Sequence, residues 1–469
     1  MTRSIAVVSL LALSACAVGP KYKRPDVPVP DTYWRVPAGP DAASIADVPW
    51  WEMFRDPALQ GLIQEAIANN QDLRLAAARV EESRALLGVA RADFYPQVNL
   101  QAGGTYGQQT AKSFPGYSGV GPSGNWTASV GLSWEIDLWG KIRNASDAAK
   151  ASLLATEEGR RGTLITLVAD VAQAYFELRE LDVELEIARR NTVTRQGTLE
   201  LFEKRSRGGI GNDLEVNQAR ADLAVTAAAI PNTERFIALK ENQLSVLLGR
   251  APGPIPRGET GNMPSAPALP VGVPASLLER RPDVLAAEDL AMSATSSVGV
   301  AVANRLPSLS LQGLIGLAGP QLPSMFSASG LVWGVGGGLL APIFQGGRLS
   351  SEEEAARARL EQAVAVYVQT VLNAYSEVSG AAVSVVKLKQ VRIENEKQVT
   401  AALAAERLSR MRYQGGVSAY LDVLDAQRSS FNAELQLAQT SRDETVAAVQ
   451  LYRSLGGGWQ ESRPAPPGS

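Results

Sequence analysis

Two carboxylates, Asp422 and Asp425, follow closely on the pair Gly415-Gly416 in "YQGGVSAYLDVLDAQRSS". Their spacing of three puts both on one face of a helix. Such a pair could do acid–base work. Repeated about a symmetry axis, it would instead form two stacked rings of negative charge that constrict a pore and bias it toward cations. A third reading is that acids in a first helical turn only oppose the macrodipole. The 469-residue chain contains no histidine, so the commonest general base and the commonest transition-metal ligand are both missing. No nucleophile elbow, phosphate-binding loop or metal cluster is legible, and neither an enzyme nor a cofactor is expected. The net charge of −3 leaves no nucleic-acid footprint.

The single cysteine, Cys16, has a different chemistry. Arg3 and the apolar run Ile5 to Leu13 make a secretory leader too short to span a bilayer. The run ends in Leu13-Ser14-Ala15-Cys16, which resembles a bacterial lipobox. Residues 1–15 are then a signal peptide, and Cys16 carries a covalent lipid; the alternative is an ordinary leader with a chance cysteine. Residues 16–57 open with "CAVGPKYKRPDVPVP", whose prolines deny a helix and favour an extended strap. No later segment is apolar enough for a membrane-spanning helix.

The elements that position the acids are written twice. "GGIGNDLEVNQARADL" from Gly208 aligns with "GGVSAYLDVLDAQRSS" from Gly415, a shift of 207. Gly208-Gly209 and Gly415-Gly416 permit positive φ at a tight helical hairpin. Glu215 becomes the repeat partner of Asp422, and Asn212 before it suggests a capping box as readily as a second ring. Arg205 and Arg412 end the preceding helices, where cations suit the dipole, and both could reach the acids. The first repeat covers 58–250, a Pro/Gly-rich linker 251–274, the second repeat 275–457, and a tail 458–469. Each repeat reads helix (Ala58 to Arg91; Ala275 to Arg305), strand (Tyr95 to Tyr106; Pro307 to Leu317), strand (Thr127 to Leu138; Leu331 to Phe344), long helix (Ile142 to Arg205; Leu349 to Arg412) and closing helix (Asp213 to Leu248; Ala419 to Leu455). The long helices would each reach about 95–100 Å.

The strands decide between readings. From Thr127 to Leu138, apolar and polar residues alternate without a miss, as in a strand with one greasy and one wet face. Each strand is long enough to cross a bilayer. Four strands cannot close a barrel, and open edges are forbidden in lipid, so identical chains must contribute the rest; three copies give twelve strands and leave an open lumen. A soluble sheet on a helical domain, or a coiled-coil tether in the envelope, are the competing architectures.

Four segments carry a family resemblance: "CAVGPKYKRPDVPVP", "WWEMFRDPALQGLIQEAIANNQDLRLAAARVEESRA", "LLERRPDVLAAEDL" and "YQGGVSAYLDVLDAQRSS". With these, the chain resembles the TolC-like outer-membrane efflux channels, in their lipoprotein (NodT-type) branch. The resemblance implies a trimeric twelve-stranded β-barrel in the outer membrane of a Gram-negative bacterium, four strands per chain, continued by a long periplasmic α-helical barrel. It implies a passive duct exporting drugs, toxic compounds or metal ions, working with a periplasmic adaptor and an inner-membrane pump of the resistance–nodulation–division class. It places the periplasmic aperture at Asp422 and Asp425 and matches Tyr413 to a gate tyrosine, the alternative being that Tyr413 only caps helix packing. Like charges brought together in rings repel, so Arg205, Arg412, Tyr413 and the packing of Leu421 and Leu424 are the candidates for holding the tip shut. The glycine tips at Gly208-Gly209 and Gly415-Gly416 are read either as mere turns or as surfaces that face the adaptor. Ser418 stands where enteric members carry an arginine that locks the gate, so closure in that form is absent.

Overall fold

The computed structural model describes residues 17–28, 56–108, 122–258 and 280–457. The leader, Cys16, linker residues 259–274 and the tail lie outside them. The elements are α1 (Pro57–Asn69), α2 (Gln71–Ala92), β1 (Gln97–Gln108), β2 (Pro122–Ile136), α3 (Lys141–Arg207) and α4 (Asp213–Leu247). The second repeat supplies α5 (Pro282–Ala303), β3 (Ser308–Gly319), the single turn α6 (Leu322–Met325), β4 (Leu331–Leu340), α7 (Arg348–Gln414) and α8 (Tyr420–Ser454). The contacts divide these into two units, each drawn from both repeats. One lies within Met1–Asp26, Arg79–Glu157 and Ala286–Val368; the other lies within Val27–Ala78, Glu158–Leu285 and Gln369–Ser469.

The first unit holds one antiparallel sheet in the order β1-β2-β3-β4. Its register puts like with like. Val98 faces Leu132, Leu100 faces Val130 and Ala102 faces Ala128. Val130 then faces Ile315, and Ile315 faces Trp333. Opposite residues of an antiparallel pair point to the same side, so one face is continuously apolar. That face is open in the single chain: Leu100 is 76% exposed and Val335 84%. The other face carries Asn99, Gln101, Ser129, Ser133, Ser310 and Gln312.

Of the expected boundaries that move, three have a local reason. β2 stops at Ile136 rather than Leu138, because Asp137 turns its carboxylate onto the amides of Ile142 and Arg143, both at 3.0 Å, and starts α3. β4 stops at Leu340, two residues before Pro342, which cannot donate to a ladder. The opening helix is two helices. Asn70 adopts an extended conformation (φ −60, ψ 132); its side chain caps α2 through Leu73 N at 3.0 Å and donates to Leu247 O.

In the second unit, α1, α3, α4, α7 and α8 share a core around Leu59, Tyr175, Phe176, Leu244, Val378 and Leu451. Asp56 sets the start of α1. Its carboxylate accepts from the amides of Ala58 and Leu59 and from the Tyr175 hydroxyl at 2.7 Å. Among the described residues no helix is long and apolar enough to cross a membrane. At 67 residues each, α3 and α7 are about 100 Å long.

The exposed apolar face makes a testable demand. An arginine at the bilayer midplane of a barrel costs about 2–4 kcal/mol. Val130→Arg, on the apolar face of β2, is expected to lower folding into liposomes by that amount per chain. Ser129→Arg, one residue away on the polar face, should fold nearly as wild type. Denaturant titration of both variants in lipid makes the comparison.

Candidate functional site at the helical tips

The two turns that join long to closing helices are built alike. In the first repeat Gly209 has φ +74; its amide bonds Ser206 O, and the Ile210 amide bonds Arg205 O at 3.1 Å. In the second, Gly416 has φ +72, and the amides of Gly416 and Val417 bond Tyr413 O and Arg412 O, each at 3.0 Å. Both are Schellman closures, which need a left-handed residue after the last turn. Only the second glycine of each pair is required for this. Gly208 and Gly415 are not among the positive-φ glycines, so of each pair that permits positive φ only the second member adopts it. Ile210 and Val417, one residue past the left-handed glycine, are 74% and 68% exposed.

Around these turns the side chains of the two repeats interlock. Phe202, Tyr413 and Tyr420 meet edge-to-face, with centroids 4.5–5.9 Å apart, over Leu199, Val216, Val423 and Leu424. Arg205 donates to the Tyr413 hydroxyl at 3.1 Å, and that hydroxyl donates to Glu215 at 3.3 Å. Burial first, then the charge of Glu215, pushes the Tyr413 hydroxyl above its ordinary pKa. Asn212 caps α4 through Leu214 N at 2.9 Å, while the Glu215 carboxylate serves Tyr413 rather than the cap. Among the described residues, Arg205 reaches an acid only through the phenol. Arg412 is exposed and has no side-chain partner among the described residues.

Asp422 and Asp425 are exposed on the first and second turns of α8. Neither has a side-chain partner among the described residues. Leu421 beside them is 51% exposed, whereas Leu424 is buried in the tip cluster. The structure thus separates two residues expected to act together.

A further group lies deeper between the tip helices. Asp222 of α4, 1% exposed, takes Arg195 of α3 at 3.0 Å and Arg428 of α8 at 3.2 Å on its two oxygens. Arg195 also donates to Asp222 O and Gln427 O and stacks over Phe431. Burial lowers the Arg195 pKa, which the charge of Asp222 partly offsets. Sequence reading missed this brace, although half of its signal was visible. Val216, Ala219, Asp222 and Thr226 share the buried stripe of α4, and an acid on such a stripe needs a partner. The partner sits on another helix, beyond any local pattern.

Sequence comparison decides what these tips belong to. The model of the family described as outer membrane efflux protein matches residues 62–250 and again 273–457. The chain belongs to that family. It is 33% identical over 455 residues to the cation efflux system protein CusC of Escherichia coli O6:H1, covering 96% of this chain and 97% of the relative. It is 34% identical over 472 residues to the toluene efflux pump outer membrane protein TtgI of Pseudomonas putida, covering 98% and 99%. A crystal structure of CusC, described in terms of folding and transmembrane channel formation, superposes with a TM-score of 0.85 at 32% identity, over 94% of this chain and all of that one.

As a member of the outer membrane efflux protein family, the chain is the outer-membrane channel of an efflux pump, extending into the periplasm of a Gram-negative cell. The family is one of ducts rather than catalysts, and the tether architecture falls away. As such a component it implies a trimer working with an adaptor and an inner-membrane pump. The brace generates a measurable expectation. Asp222→Ala leaves Arg195 buried without its counter-ion, a loss worth about 3–5 kcal/mol. Arg195→Met together with Asp222→Leu should recover most of it, because neither buried charge then remains. Denaturant unfolding of the detergent-extracted channel reads both.

Proposed function

We propose that Asp422 and Asp425 line the periplasmic aperture of a trimeric duct and set which ions enter it. The supporting observation is their freedom. Among the described residues both carboxylates are exposed and unpaired, whereas Glu215, the equivalent acid of the other repeat, is tied to Tyr413. The macrodipole accounts for Asp422 in the first turn of α8 but not for Asp425 a turn later, since that field fades within one turn. In this reading Tyr413, Arg205 and Glu215 hold the two hairpins of one chain together. Arg412 and Leu421, both exposed, are left to meet neighbouring copies.

We also propose that the tips dock the adaptor through Ile210 and Val417, whose apolar side chains a Schellman turn would ordinarily tuck against its own helix. The pump is of the resistance–nodulation–division class, in keeping with the sequence resemblance. Cargo is selected there and not in the duct: relatives named for cations and for toluene stand at 33% and 34% identity to this chain, which argues against a cargo-specific lumen. Cys16, outside the described residues, carries a lipid that anchors the chain end in the membrane.

Two measurements test these readings. Asp422→Ala with Asp425→Ala is expected to shift the reversal potential of purified trimers in asymmetric salt toward non-selectivity and to weaken block by a trivalent cation added on the tip side. An unchanged potential and unchanged block would assign the acids to the helix end alone. Cys16→Ser is expected to abolish incorporation of radioactive fatty acid while the barrel keeps part of the protein in the membrane. Labelling that survives in the mutant removes the anchor.

A further inference from the structure

Residues Ala17 to Arg24 are seated in the first unit at three places. At the start, Ala17 lies against Gly140, whose φ is +77; a Cβ there would sit 2.7 Å from the Ala17 Cβ. The Val18 amide donates to Trp139 O at 3.0 Å, and Asn144 donates to Val18 O at 3.1 Å. Next, Gly19, with φ +119, crosses Gly299 of α5 backbone to backbone. A Cβ on Gly19 would stand 2.6 Å from the Gly299 Cα, and one on Gly299 would stand 2.5 Å from the Asn144 amide. No side chain fits at either position.

The third place is electrostatic. Glu288, on α5, is 4% exposed. Arg24 grips it with both arms, Nε to Oε1 at 2.7 Å and Nη2 to Oε2 at 2.5 Å, and the Tyr22 hydroxyl donates to Oε1 at 3.2 Å. Burial and then Glu288 push the Tyr22 hydroxyl far above its ordinary pKa. Buried Tyr367 of α7 lies within electrostatic range of the same pair. Among the described residues, every hydrogen bond and ion pair to Glu288 comes from this one segment. A buried carboxylate without a cation is strongly destabilising, more so than the pair is stabilising.

We propose that Ala17–Arg24 is a latch whose seating Glu288 enforces: the first unit is stable only while this segment occupies its groove, and the residue after Cys16 is thereby held against Gly140 at the foot of β2. The latch stands on the geometry alone. Its consequence, that a lipid on Cys16 enters the membrane at a fixed point beside the sheet, rests on the anchoring reading above.

The test uses the full mature protein in detergent. Lys21 and Lys23 are exposed and give trypsin two bonds, Lys21–Tyr22 and Lys23–Arg24, that cut only when the segment lifts. Losing a hydrogen bond to a charged group weakens seating enough that Glu288→Gln should speed this cleavage about tenfold or more. Its unfolding midpoint should move little, since no buried charge is left behind. Arg24→Gln should be cut as fast and also unfold at a clearly lower temperature. Adding Glu288→Gln to Arg24→Gln should bring the midpoint back toward wild type while the segment stays cleavable. Gly19→Val should free the segment and lower the midpoint without touching the charges. Equal protection in Glu288→Gln, its failure to fold, or a double variant no more stable than Arg24→Gln would each overturn the latch. Protection of the segment in a chain that takes up no fatty acid would support the latch and remove the anchor.

Discussion

The sheet of one chain has two free edges, and the rest of the molecule answers to that fact. Among the described residues, β1 and β4 each pair on one side only. Their outer backbone groups find no water in lipid, where each unsatisfied group costs several kcal/mol. The apolar face that suits lipid is therefore unusable until other copies supply the missing partners. A family whose members are trimers meets the demand with twelve strands, wide enough to leave a lumen. The same symmetry then applies to the helical tips. A rotation that closes the barrel repeats every tip residue three times, so a single unpaired carboxylate becomes a ring without further design.

The internal repeat is preserved where backbone geometry matters and lost where charge matters. The two Schellman turns keep their left-handed glycines at 209 and 416 and the same pair of closing hydrogen bonds. Around them the partners diverge. Asn212 caps α4, while its counterpart Ala419 offers no side chain to α8. Asp222 anchors the buried brace, while Ser429 stands in its place in the second repeat. One copy of the hairpin is thus cross-linked by buried charge through α4, and the other contributes Arg428 as a donor to Asp222 and the Gln427 carbonyl as an acceptor from Arg195.

How far these features could be read from sequence follows from the range of the forces involved. The four strands were legible because one face meets an apolar solvent, and alternation records that directly; the long helices were legible because nothing interrupts their pattern. The errors fall where a local interaction ends an element before its pattern ends. Leu138 continues the alternation of β2, yet Asp137 has already turned its carboxylate onto the first amides of α3. Ala58 to Arg91 reads as one helix, yet Asn70 breaks it by capping the second half. The brace and the Glu288 latch were hidden for the opposite reason. Arg195 and Asp222 belong to different helices, and Arg24 lies 264 residues from Glu288. Each chain segment carries only half of the signal, an acid or a base with no local partner.

The charge at the tip turns on one difference between the repeats. Position 206 of the first repeat is serine, and its counterpart at 413 is tyrosine. Tyr413 is long enough to reach across to the other hairpin, where it meets Glu215 and Arg205. Ser206 is too short for the reciprocal reach to Asp422 and bonds its own neighbour Asp213 at 2.9 Å instead. Were the tips symmetric, both acids would be held by phenols and neither would be free. The asymmetry consumes the charge of the first repeat in holding the hairpins together and leaves that of the second facing solvent. A pore constriction needs its charge exposed, whereas a joint between helices needs its charge neutralised. By diverging at this position, the repeated hairpin joins its halves through one acid and leaves the other free for the aperture role proposed above.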